Sequence, residues 1–252
     1  MSSMVGTRDR GNRAGGPPGR GDAEAGGPRE YQWGSGPLAR GCAYVYTVFL
    51  TQLLFLLFTV PGLVPLVLLL DRDVSNLPLA AAGLIPLGPA LAAMVFAFHH
   101  RSNDLTELHP VATFWRGYRL NFVPVLRIWV PWLAGMTIIA VNLAYLGAAG
   151  IPGWWAGLLV VIAVVATLWI VNALVITSLF TFRTRDIARL AGYFLARTPG
   201  ATLGNVCLLV VMVGLTYAAS EAVLALVAWA FAQFLLLTSR PTITVVEREF
   251  TA

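Results

Sequence analysis

The sequence predicts an all-α fold: a polytopic transmembrane helical bundle of about six spans, with both termini in the cytoplasm. Three observations carry that prediction. Hydrophobic residues make up 58% of the 252 positions and charged residues only 12%, and mean hydropathy is +0.74, outside the range of soluble domains. Several apolar runs reach the roughly 20 residues needed to cross about 30 Å of hydrocarbon. The arginines fall almost entirely on one side of those runs, and positive charge near span ends is retained in the cytoplasm.

Residues 1–37 are rich in Gly, Arg and Pro and nearly free of large apolar side chains, so they are expected to form a disordered cytoplasmic tail. The first apolar run begins some forty residues in and is too long for the apolar core of a cleaved signal peptide. The transmembrane domain is expected over 38–240, followed by a short cytoplasmic tail over 241–252. Its first span covers about 43–70, and Pro61 and Pro65 predict a kink or a helix end near Pro61 because each lacks a backbone donor. The second span covers about 79–98, the third 122–146 and the fourth 154–180.

The run 201–238 is too long for one crossing and carries Ser220 and Glu221 near its middle. Divided there, it gives short spans over 201–217 and 222–238, with Glu221 at the bilayer surface. The alternative is a Glu221 buried at lipid depth, which would be functional because an intramembrane carboxylate is costly.

With the amino terminus inside, the arginines agree with six spans. Arg8, Arg10, Arg13, Arg20, Arg29 and Arg40 precede the first span, and Arg240 and Arg248 follow the last. The loop after the second span brings Arg101, Arg116, Arg119 and Arg127, and the loop after the fourth brings Arg183, Arg185, Arg189 and Arg197. Arg72, between Asp71 and Asp73, is the one arginine placed outside. The chain has no lysine, and its net charge of +5 is dispersed along membrane boundaries. That distribution fits anionic headgroups of the bilayer and argues against nucleic acid as a partner.

Two cytoplasmic loops carry further helical patterning. Pro110 is placed to open a helix in which Phe114, Trp115 and Tyr118 form an apolar stripe, with Arg116 and Arg119 about one turn apart. In the second loop Ile187, Leu190 and Phe194 share a stripe, and Arg185 and Arg189 stand four residues apart. Both patterns suit helices lying in the membrane interface. Arg116, Arg119, Arg185 and Arg189 are therefore candidates for docking a cytoplasmic partner, or else simple positive-inside anchors.

Trp129, Trp132, Trp154, Trp155 and Trp229 are expected in the interfacial aromatic belt. Asn142, Asn172 and Gln233, like Glu221, are intramembrane polar candidates, and the amides are expected to bond neighbouring helices because hydrocarbon offers no partner. Cys42 and Cys207 form no disulfide or metal pattern. His99 and His100 are adjacent, with only Asp104 or Glu107 near ligand spacing, so neither a metal site nor a cofactor is expected. No nucleophile stands with a base, and the chain is not expected to be an enzyme.

The stretch Ile85-Pro86-Leu87-Gly88-Pro89-Ala90-Leu91 and the loop Phe114-Trp115-Arg116-Gly117-Tyr118-Arg119-Leu120-Asn121-Phe122 resemble the YesL-like family of bacterial membrane proteins, whose domain has no known function. In that family a Gly-Pro-Ala turn, here Gly88, Pro89 and Ala90, opens the second span. A cytoplasmic loop with a phenylalanine (Phe114), basic residues and Asn-Phe (Asn121, Phe122) leads into the third. The resemblance reaches over about 39–236, and departs from the family over 62–78, where the chain is longer and carries Asp71, Arg72 and Asp73. It implies an association with carbohydrate uptake, as a companion to sugar ABC transporters, and no known reaction. The expected function is thus an accessory protein of the cell membrane, of unknown biochemical activity, assisting such a system through its cytoplasmic loops. A permease-like protein or a self-contained transporter of a small solute is the alternative.

Overall fold

The computed structural model describes residues 37–68, 73–101, 109–180, 182–218, 223 and 226–250. Residues 1–36 of the expected tail, together with Asp71, Arg72, Asp104, Glu107 and Glu221, lie outside the described residues.

The described chain is helical, with no strand among the described residues. Its helices are α1 (Pro37–Leu68), α2 (Leu77–Gly83), α3 (Leu87–His99), α4 (Pro110–Tyr145), α5 (Trp154–Leu179), α6 (Thr184–Arg197), α7 (Pro199–Ala218) and α8 (Ala228–Phe250), with a 3-10 turn over Val74–Asn76 before α2. Five segments are long and apolar enough to cross a membrane: Arg40–Val64, Val74–His99, Pro110–Tyr145, Trp154–Leu179 and Pro199–Ala218. The chain therefore has the build of a membrane protein. The sixth expected span, 222–238, falls partly outside the described residues; α8 starts at Ala228 and continues through the expected tail to Phe250.

Of the two outcomes expected near Pro61, a kink or a helix end, the end does not occur, since α1 continues to Leu68. Two elements differ from the expected ones for identifiable reasons. The expected second span is broken at 84–86 into α2 and α3. There the tip of α2 meets α1 closely: a side chain at Gly62 would collide with the Gly83 carbonyl and the Pro86 ring. The amphipathic loop helix and the third span are one helix. α4 runs unbroken through Pro124 and Pro131 for 36 residues, about 54 Å at 1.5 Å per residue. Bundled helices tolerate such prolines because neighbours re-satisfy the freed backbone groups.

α4 ends in a Schellman closure. The Ile151 amide donates to the Leu146 carbonyl and the Gly150 amide to the Gly147 carbonyl, while Gly150 takes φ +66°. Only glycine adopts that conformation without strain, which sets the turn into α5.

α3 lies in the middle and touches α1, α4, α5 and α8. Its small residues Ala90, Ala92, Ala93 and Ala97 are fully buried and let the neighbouring helices approach. Two apolar clusters meet along it. One joins Val125, Ile128 and Trp129 of α4 to Ile170, Ala173 and Ile176 of α5 and to Ile187, Ala191 and Phe194 of α6. The other joins Phe55 of α1 and Phe114 of α4 to Met94 and Phe98 of α3 and to Ala228 and Ala232 of α8.

Candidate partner-docking face and the contacts that hold it

The first half of α4 is fixed from one side. Phe114 is fully buried with its ring 5.8 Å from that of Phe58 on α1, and Tyr118 lies 4.6 Å from the same ring. Gly117, one turn on from Phe114, faces Phe96 of α3 so closely that an added Cβ would stand 2.7 Å from its ring. Asn121 continues the buried face and donates through Nδ2 to the Ser178 carbonyl of α5 at 3.3 Å. Positions 114, 117, 121, 125 and 128 thus form one buried stripe at helical spacing. Arg116 and Arg119 fall on the other side and are exposed.

α6 is held the same way. Ile187, Ala191 and Phe194, at i, i+4 and i+7, are buried against α4 and α5. The Trp169 indole on α5 donates to the Ala188 carbonyl at 3.0 Å. Arg185 and Arg189 point away from this seam and are exposed. The apolar stripes of α4 and α6 therefore serve the protein interior rather than the membrane interface, although Trp115 remains 48% exposed. Amphipathic spacing shows which face is apolar; it does not distinguish lipid from protein as the cover. Among the described residues none of the four candidate arginines makes an ion pair.

The motif positions are packing residues. Gly88, Pro89 and Ala90 are buried, and the indole of Trp129 lies on Gly88, where a Cβ would come within 2.6 Å of it. The same indole donates to the Leu84 carbonyl at 3.0 Å, which the break between α2 and α3 leaves near the end of α2. Trp129 is thus a buried clamp, 5% exposed, and not the belt residue expected. Trp154 and Trp155 are exposed at the start of α5, with stacked rings. Phe122 of the motif is 37% exposed beside Tyr118.

The intramembrane amides divide. Asn172 is buried and accepts from Asn205 Nδ2 of α7 at 3.2 Å, a cross-helix bond of the expected kind. Asn142 is exposed and donates instead to Ile138 of its own helix at 2.9 Å. Gln233 Nε2 is buried without a partner among the described residues. Asn205 was not singled out in the sequence; as the one amide in the apolar run of α7 it was the available signal. At the other end of the bundle Gln52 Oε1 accepts from the Trp229 backbone amide near the start of α8.

His99 and His100 are exposed, and the His100 ring stacks on Phe96 at 4.1 Å. Among the described residues no group of three or more His, Cys, Asp or Glu is placed to hold a metal ion. Cys42 and Cys207 are free and exposed.

Residues 48–143 match the model of a family described as "Protein of unknown function, DUF624". The match runs from α1 to near the end of α4, and so includes the Gly88–Trp129 contact, the α2–α3 break and Arg116 and Arg119, but not α6. No curated protein and no solved structure matches the chain. The matched region is built around the contacts of α3; Gly62, Gly88 and Gly117 stand where α1 and α4 come close to α2 and α3, while Gly135 faces open space.

Proposed function

We propose that this chain is an accessory protein of the bacterial cell membrane, without catalytic activity of its own, that docks a cytoplasmic partner through Arg116, Arg119, Arg185 and Arg189. One observation supports this reading above the others: all four guanidinium groups are exposed on helices whose opposite faces are locked into the bundle. A surface presented on rigid helices loses little entropy on binding, so its charges convert into affinity and on-rate for an acidic face. Simple anchors would not need the two arginine-bearing helices to be pinned by Asn121, Gly117 and Trp169.

The resemblance to the YesL-like family supports taking the partner from a carbohydrate uptake system of the ABC type. The experiment is affinity recovery of the tagged full chain from its host in mild detergent. Replacing all four arginines by Gln is expected to abolish co-purification of transporter subunits, while the amount of protein in the membrane is unchanged. Because exposed charges are screened, added salt is expected to reduce recovery of the unsubstituted protein as well. Equal recovery with and without the four arginines would contradict the proposal.

A further inference from the structure

Below α6 the bundle is not closed. A pocket of about 480 Å³ lies between α4, α5 and α6, within the range of small-ligand sites. Its lining is carbon-rich, and two indoles, Trp132 and Trp169, contribute to it. Among the described residues no carboxylate lines it, and the charged group in its lining is Arg127. Ile162 belongs to the wall and is 45% exposed, so the pocket is continuous with the apolar outer surface of α5. The two indoles differ in one respect. Trp169 donates its N–H to the Ala188 carbonyl, whereas Nε1 of Trp132 is buried with no acceptor among the described residues.

We infer that this pocket binds one anionic phospholipid, its phosphate on Arg127 and part of an acyl chain along the apolar wall. A single guanidinium with no opposing carboxylate selects an anion. Carbon walls that continue into the exposed face of α5 select an amphiphile over a soluble anion, which would lose hydration there without recovering it. Arg127 follows the run of cytoplasmic arginines on α4, where anionic headgroups of the inner leaflet concentrate. Gly135 lines the pocket and has open space in front of it, so the cavity exists partly because that position lacks a side chain.

The test uses the full-length protein in nanodiscs holding equal phosphatidylglycerol and phosphatidylcholine, released for native mass spectrometry. Expected is one retained phosphatidylglycerol per chain, in clear preference to phosphatidylcholine. Arg127→Gln, at an exposed position that keeps the fold, is expected to lower that preference about tenfold or more, the worth of a charge-assisted hydrogen bond. Gly135→Leu is expected to fill the cavity and abolish retention. Gly157→Leu, a leucine at an open glycine outside the pocket, is expected to leave it unchanged. Excess inorganic phosphate is expected not to displace the lipid. Equal retention of the two lipids, a preference that survives Arg127→Gln, or displacement by inorganic phosphate would each overturn the assignment, the last in favour of a free anion site.

Discussion

The two halves of α5 are made of similar residues and meet opposite fates. From Trp154 to Val165 the helix is a nearly unbroken apolar stretch, yet Trp154, Leu158, Val160, Val161, Ile162 and Val165 are all 42% exposed or more. From Leu168 to Ser178 it is still mostly apolar, yet Asn172 and all six residues after it are buried. A helix that is apolar all round must be covered all round, by protein or by lipid. α5 as a whole is contacted by α3, α4, α6, α7 and α8; the burial pattern puts protein over the second half, and the exposed apolar first half is expected to be covered by lipid. Buried polar groups mark the boundary. Asn172, Thr177 and Ser178 lie in the packed half, where Asn205 and backbone carbonyls supply partners. The first half carries no polar side chain before Thr167, as hydrocarbon requires.

This contrast is sharpened most by removing large side chains on either side of it. Phe114→Ala, in the packed region, is expected to destabilise by about 3–5 kcal/mol through lost contacts and a residual cavity. Val161→Ala, in the exposed half, is expected to change stability by less than about 0.5 kcal/mol. Denaturant unfolding in mixed micelles measures both, and equal losses would mean that the exposed half is packed against something else. Asn172→Leu tests the boundary itself. Breaking the bond to Asn205 is expected to cost about 1 kcal/mol, the scale of interhelical hydrogen bonds in bilayers, and a gain in stability would contradict a structural role for the pair.

The smallest effect lies at Asp73, just before the Val74–His99 segment. The Ser75 hydroxyl donates to Asp73 at 2.7 Å and holds its carboxyl below its ordinary value. A depressed carboxylate contributes stability above its unfolded value and loses that contribution as pH falls through the folded one. A slight drop in thermal stability is therefore expected on acidifying below about pH 4, and Ser75→Ala is expected to remove this part of it.

Much of this arrangement was legible in the residues. Apolar run length gave about six spans, against five described segments long and apolar enough to cross a membrane, and the spacing of Phe114, Tyr118, Ile187 and Phe194 gave the helices that carry the candidate arginines. What could not be read was the cover. Trp129 has the composition of a belt residue, and only the absence of a side chain at Gly88, 41 positions earlier by subtraction, makes room for it inside. The continuity of α4 was hidden because an amphipathic stretch and an apolar stretch follow one another without a glycine break or a polar turn. The interruption at 84–86 was hidden for the converse reason: its residues are as apolar as the helices beside it, and the Leu84 carbonyl is satisfied from a residue far along the chain.

Oxygen accessibility of nitroxides placed singly along α5 in lipid bilayers, with Cys42 and Cys207 first replaced by Ser because both are exposed, tests the division of this helix most directly. High accessibility is expected at every outward position over 158–165 and a fall to low values at all positions over 172–178. Low accessibility over 158–165 would contradict it, placing protein and not lipid on that surface.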